Sequence, residues 1–320
     1  MIFCGGVTPD GEVIVKQRLL APSVYLDHLA LRKISDNGAL ASRLRDALRS
    51  KKGTLAISAL NRGEFVSVSV TDQAAAAEKL VGMLWPNVFF MSVDMGIVSM
   101  REIELLPTTV YPDGSLACDD QEVLKAIGQR FNPQTAAIHL TMGELFGLHS
   151  QNEKHQAYLK QMRDAGRLFL SQWHAAKMSP EYKAKRLNCR RRMRKTGIMA
   201  PRASGPLFTT MLEIFDREIP APRDNDFNDF LHACVPSSYC DFVFLDNSWR
   251  HVVEQVRRDL VKDNIKTPIA RVFSEKGGGM EKFFRALEEH PGSPPIKGVS
   301  LKSIIDLAKL LNGIPPGMQS

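Results

Sequence analysis

The chain predicts an α/β fold: a three-layer arrangement built on a mostly parallel sheet of about five strands, with a helical insertion. Two observations carry this reading. Short apolar runs such as SVYL, TLAIS and NVFFM alternate with longer stretches of helical periodicity, and turn-forming residues separate them. Strand, helix, strand, helix, strand in that order implies parallel pairing through right-handed crossovers.

The first elements follow from local signals. Residues 1–22 hold a turn at Thr8-Pro9-Asp10-Gly11 and an alternating stretch from Glu12 to Val15, which reads as a peripheral hairpin. Ser23 to Leu26 reads as a buried strand closed by Asp27. From Leu29 to Ser50, Leu31, Ile34, Leu40, Leu44 and Leu48 recur at roughly helical spacing, with a break near Asn37-Gly38. Thr54 to Ser58 is the next strand, and Asn61-Arg62-Gly63 leads into Glu64 at the opening of a helix. Ala74 to Leu84 is helical and stops at Trp85-Pro86; Asn87 to Met91 makes the third strand.

From about Pro107 the pattern changes. Residues 119–131 and 135–148 read as short helices, and 152–177 as a longer one. Pro201, Gly205 and Pro206 mark a break, as do Pro220 and Pro222. Core-like sequence resumes with a helix at Phe227 to Cys234, a strand at Phe242 to Leu245, a helix after Trp249 and a strand at Ile269 to Phe273. The expected organisation is a core of 1–106 and 206–290, an insertion over 107–205, and a C-terminal helix and tail over 291–320.

Composition excludes several classes. With 320 residues, 44% hydrophobic and 24% charged, the chain matches a soluble globular protein. No apolar run approaches the roughly 18 residues of a membrane span, and Asp10 and Glu12 interrupt any signal-like opening. A membrane partner is not expected, and a cytoplasmic location is. The five cysteines are scattered without a C-x-x-C pair, so neither a disulfide framework nor a zinc ribbon is indicated. His232, Cys234 and Cys240 lie close together but at no usual zinc spacing, and read as a packed helix face. Gly277-Gly278-Gly279 lacks the phosphate-loop pattern and reads as a turn.

Charge is concentrated. Between Glu181 and Ala203 nine bases face one acid, a local +8 in a chain of formal charge +7, which leaves about −1 for the rest. Arg190, Arg191, Arg192, Arg194 and Lys195 form the densest part. Such a segment is either a solvated face or an arm that neutralises phosphates and releases counterions.

Four acids then stand out: Asp27 and Asp246 at strand ends, Glu64 and Asp229 at helix starts. Taken alone, Asp27 reads as a turn residue and Glu64 as an acid favoured by the helix dipole. Asp229 is preferred over Asp226, because Asp224, Asn225 and Asp226 read as capping positions. Asp246 is preferred over Asp241, because ligands gather beyond the carboxyl ends of parallel strands. Asp94 reads as a helix cap.

These residues, in VYLD, ISALNRGEF, NDFLHAC and VFLDNSW, resemble the acidic motifs of the PIN-domain family of metal-dependent nucleases. The likeness covers about 23–106 and 224–275. It implies a PIN-like core in which Asp27, Glu64, Asp229 and Asp246 hold one or two Mg²⁺ or Mn²⁺ ions, and an endoribonuclease that hydrolyses phosphodiester bonds through a metal-activated water. Arg190, Arg191, Arg192, Arg194 and Lys195 would hold the nucleic acid, with RNA favoured over DNA. The pattern departs at His28 and Leu29, where a small polar residue and an Asn are usual, and at Phe244, where a Thr or Ser is usual. Those changes remove outer hydrogen bonds from the acids. They keep open a second reading, a catalytically weakened PIN-like module that binds nucleic acid or a protein; an acidic protein partner and a homodimer stay open as well.

Overall fold

Val24, Tyr25 and Leu26 are all buried, yet they belong to two different cores, as expected of a strand covered on both faces. The computed structural model describes residues 1–10, 12–67, 71–95, 97–98, 121–129, 131–132, 137–138, 204–218, 226–264 and 268–292, with single positions at 101, 117 and between 157 and 184. The chain opens with an antiparallel hairpin, β1 (Ile2–Val7) and β2 (Val13–Gln17), as the sequence predicts. Next come β3 (Ser23–Leu26), α1 (His28–Ser35) and α2 (Gly38–Lys51). Asn37 separates the two helices because its side chain caps α2, accepting from the Ala39 and Leu40 N–H groups. Then follow β4 (Thr54–Ser58), α3 (Ala59–Ser67), α4 (Thr71–Leu84) and β5 (Val88–Met91). The Gln17 amide exchanges two hydrogen bonds with the Phe90 backbone, covering part of the open edge of β5.

The expected insertion departs from an all-helical plan. It contains α5 (Gln121–Gln129) and then a two-stranded hairpin, β6 (Phe131–Asn132) with β7 (Ala137–Ile138). The helix expected over 135–148 is therefore replaced at its start by a strand. Described positions between 157 and 172 are helical, in line with the longer predicted helix. Arg190, Arg191, Arg192, Arg194 and Lys195 lie outside the described residues, as does the predicted C-terminal helix beyond 292.

A helix absent from the sequence reading follows: α6 (Ser204–Glu218). Gly205 and Pro206 sit in its first turn, where proline costs no hydrogen bond and its fixed φ suits the helix. Next, α7 (Asp226–Tyr239) runs five residues beyond the predicted end at Cys234. Then come β8 (Phe242–Phe244), α8 (Asn247–Lys262), β9 (Arg271–Phe273) and α9 (Gly279–Glu289). Gly279 is obligatory, since a Cβ there would sit 1.5 Å from the Ser274 carbonyl oxygen.

Five strands pair in the order β5-β4-β3-β8-β9, all parallel. Side chains alternate between the two faces with period two. Tyr25, Ala56, Phe89, Met91 and Val243 pack against α6, α7 and α8; Val24, Leu26, Leu55, Ile57, Phe90, Phe242 and Phe244 pack against α1, α2, α4 and α9. The result is three layers, helices over a parallel sheet over helices. Among the described residues, no helix is long and apolar enough to cross a membrane.

Candidate functional site

Strand order reverses between β3 and β8: β4 and β5 lie to one side, β9 to the other. Connections leave in opposite directions at such a point, and a crevice opens beyond the strand carboxyl ends. Two of the four predicted acids stand there. The Asp27 N–H donates to the Phe244 carbonyl at 3.0 Å, extending the β3–β8 ladder by one residue. Its Oδ1 then caps α1, accepting from the Ala30 N–H at 2.8 Å. Asp246 does the same for α8, its Oδ1 accepting from the Trp249 N–H at 2.9 Å and the Ser248 hydroxyl at 2.6 Å. Both acids thus sit at helix N-termini, where backbone N–H groups favour negative charge. Asp241, at the other end of β8, accepts instead from the N–H and hydroxyl of Ser23, each at 2.8 Å, and ties β8 to β3. Asp94 accepts from the Ile97 N–H at 3.1 Å, the capping role its position predicts.

The other two acids come from helices. Glu64 lies in the sixth position of α3, not at its start, because the helix begins directly after β4. The dipole explanation for this acid therefore falls away. Asp229 is the fourth residue of α7 and half-buried, while Asp226 opens the helix and is buried. The charges of Asp246 and Glu64 bear on both Asp27 and Asp229. Burial pushes the Asp27 carboxyl up to about 7; the Ala30 N–H and His232 pull against it, while Asp246 and Glu64 push it higher. Burial likewise lifts Asp229 to about 6, with His232 opposing and Asp246, Glu64 and Asp226 adding.

His232, which the sequence reads only as part of a packed helix face, belongs to the site. Its ring is 2% exposed and lies within the acidic cluster, with Nε2 3.2 Å from Glu64 Oε2 and Nδ1 against the Tyr25 hydroxyl. Burial works against a charged imidazole, yet Glu64, Asp229 and Asp27 outweigh it and hold His232 above its ordinary value. Burial also opposes ionisation of Glu64, but His232 and His28 overcome it and bring that carboxyl below the usual range. The signal was the spacing Asp229-x-x-His232, which puts both on one helix face. Cys234 and Cys240 are buried in the core, as a packed face predicts.

The departures in the sequence motif also find explanations. His28 Nδ1 lies 3.9 Å from the same Glu64 oxygen, and burial lowers its affinity for a proton. Phe244 is wholly within the core, edge-on to Phe283 with centroids 5.8 Å apart, and gives Asp246 no polar partner. Leu29 is exposed.

A cluster of oxygen donors short of positive charge suits a hard divalent cation. Among the described residues, no three His, Cys, Asp or Glu side chains close on a single point. Comparison with family models, curated proteins and solved structures finds no match to this chain.

Proposed function

We propose that the chain is a metal-dependent nuclease with a PIN-like core, and that its substrate is RNA in preference to DNA. The observation that carries this is the gathering of Asp27, Glu64, Asp229 and Asp246 into one electrostatic cluster at the β3–β8 switch point. Asp27 and Asp246, on adjacent strands, would hold Mg²⁺ or Mn²⁺ directly, and Asp229 and Glu64 would act through water. When bound, the ion supplies charge neutralisation and a water acidic enough to attack phosphorus. The protein's own part is to fix Asp27 and Asp246 through their helix caps, so that neither carboxylate must be ordered when substrate arrives. Arg190, Arg191, Arg192, Arg194 and Lys195 would bring the polyanion to a cluster that otherwise repels it.

A second reading is favoured by Glu64, whose Oε2 is already engaged by His232 and His28. In it, the fold binds nucleic acid or a protein without cleaving. A cleavage assay separates the two, using labelled RNA and DNA with Mn²⁺, with chelator, and with Asp27→Asn and Asp246→Asn. Metal-dependent cleavage lost in both variants is expected. Binding without cleavage, indifferent to metal and to both substitutions, would sink the nuclease reading.

A further inference from the structure

A cavity of about 460 Å³ lies at the amino ends of β8 and β9, closed on one side by the last turn of α9. That volume is in the range of sites that hold small organic molecules. Its acceptors are spent. Asp241 Oδ2 accepts from both the N–H and the hydroxyl of Ser23, and the Asp241 carbonyl accepts from the Arg271 N–H at 2.9 Å. The Ile269 and Ala270 carbonyls accept from Arg257 at 3.2 and 2.6 Å. The His290 carbonyl, at the helix end whose dipole would repel an anion, accepts from Lys51 Nζ at 2.5 Å.

Two donors stay uncommitted. The Arg271 guanidinium lies over the rings of Phe242 and Phe273, 5.9 and 5.6 Å from their centroids, and has no hydrogen-bond or ion-pair partner among the described residues. Stacking of that kind steadies the planar fork and leaves its N–H groups for a ligand. His290 stands edge-on to Phe242, with centroids 5.6 Å apart. Its Nδ1 accepts from the Gly292 N–H at 3.0 Å, so the ring proton sits on Nε2 and that nitrogen donates. Burial lowers the affinity of this ring for a proton, with Asp241 opposing and Lys51 adding, which agrees with a neutral imidazole. The surface around the two donors is apolar: Phe242 and Ala286 are buried and Ile269 is partly so. Glu289, the other acid at the cavity, is exposed, where water screens its charge.

We propose that this cavity binds a small amphipathic anion, a compact apolar body carrying one carboxylate or phosphate, with the acid on Arg271 and His290 and the body on Phe242, Ile269 and Ala286. A guanidinium fork matches either acid through paired N–H groups, so the two share one recognition chemistry. The inference goes beyond the nuclease reading and does not depend on it, because none of the four acids of the carboxyl edge takes part.

Titration of the full chain, followed by the NMR signals of Arg271 and His290, tests it with four probes. Phenylacetate and phenyl phosphate carry both halves of the ligand, benzyl alcohol lacks the acid, and inorganic phosphate lacks the body. The first two should shift both residues with dissociation constants of about 5 mM or tighter, and the tighter of them tells carboxylate from phosphate. Benzyl alcohol and inorganic phosphate should bind at least about 10-fold more weakly, and Arg271→Gln should weaken both anions by at least about 10-fold. Arg271 is exposed, so that substitution spares the core, and the comparison of probes on the unmodified chain stands whatever the variant does. No shift at Arg271 and His290 with either anion at about 20 mM, or an unchanged affinity in Arg271→Gln, would overturn the proposal. Benzyl alcohol binding as tightly as phenylacetate would do the same. So would free phenylalanine binding more tightly than phenylacetate, since Glu289 would then be the partner of an ammonium group and the ligand a zwitterion.

Discussion

Strand β8 carries an aspartate at each end, and the two ends of the sheet treat them in opposite ways. At the amino end, Asp241 accepts two hydrogen bonds from Ser23 and is consumed in holding β8 to β3. Beside it opens a cavity of about 460 Å³ lined by Asp241, Phe242, Ile269, Arg271 and His290 among others. At the carboxyl end, Asp246 and Asp27 spend one oxygen each on a helix cap and sit among further acids. The cavity lies at the end whose carboxylate is satisfied, whereas the other end gathers carboxylates. Void space therefore points to one edge and chemistry to the other. The charge cluster is the better guide, because groups whose protonation is strongly shifted by burial and by one another mark functional sites more reliably than void space does.

Substitutions at the two ends of β8 separate the edges most sharply. Asp246→Asn should preserve the α8 cap, since Asn caps as well as Asp, yet lower cleavage by at least about 100-fold in a single-turnover assay. Asp241→Ala should leave cleavage unchanged and instead destabilise the fold by about 1–3 kcal/mol in urea titration, through the stranded Ser23 donors. Equal losses of activity from the two would erase the distinction.

A buried polar chain under the carboxyl edge is the next most sensitive point: Asn61 holds the Leu26 carbonyl and Ser58, and Ser58 meets the Tyr25 hydroxyl. Asn61→Ala removes the anchor that orders Ser58 and Tyr25, and should cost about 2–3 kcal/mol while weakening Mn²⁺ binding. An unaltered metal affinity would detach that chain from the site. The basic segment contributes more gradually: replacing Arg190, Arg191, Arg192, Arg194 and Lys195 by Ala should flatten the salt dependence of RNA binding by about 0.7 in log–log slope for each phosphate no longer neutralised.

The smallest effect is on pH dependence. Asp27 and Asp229 are held up to about 7 and about 6, so between the ordinary carboxylate range and those values the folded chain keeps protons that the unfolded chain has lost. Stability of the metal-free protein should therefore fall as pH rises from about 4 to about 7, and Asp27→Asn should flatten that fall. The gain for the variant at pH 8 should be on the order of 1 kcal/mol, or about 2–4 °C in Tm. Glu64 works the other way, being held low, and its contribution is lost on acidification. A metal-free protein that gains stability toward pH 8 would contradict the assignment.

Much of this layout could be read from local sequence. Asp27 and Asp246 were legible because each ends an apolar run too short to be a helix, and a strand followed directly by a helix must place its junction residue at the sheet's carboxyl edge. Asp241 was set aside for the same reason. Helix α6 escaped because Gly205-Pro206 reads as a break in composition, while physically a proline in the first turn is a beginning. The strand β7 escaped because a two-residue ladder has no periodicity of its own. His232 is the instructive case: beside Cys234 and Cys240 it suggests a failed zinc motif, whereas its partners Tyr25 and Glu64 lie on β3 and α3, distant in the chain. Only the tertiary fold brings them together, so the residue type was visible and its role was not.

Anomalous diffraction from crystals grown with Mn²⁺ tests the central claim most directly. An anomalous peak is expected at the carboxyl edge, about 2.0–2.2 Å from oxygens of Asp27 and Asp246, with waters completing the shell and none at the amino edge. A peak at Asp241, or none at the carboxyl edge with Mn²⁺ in excess, would contradict it.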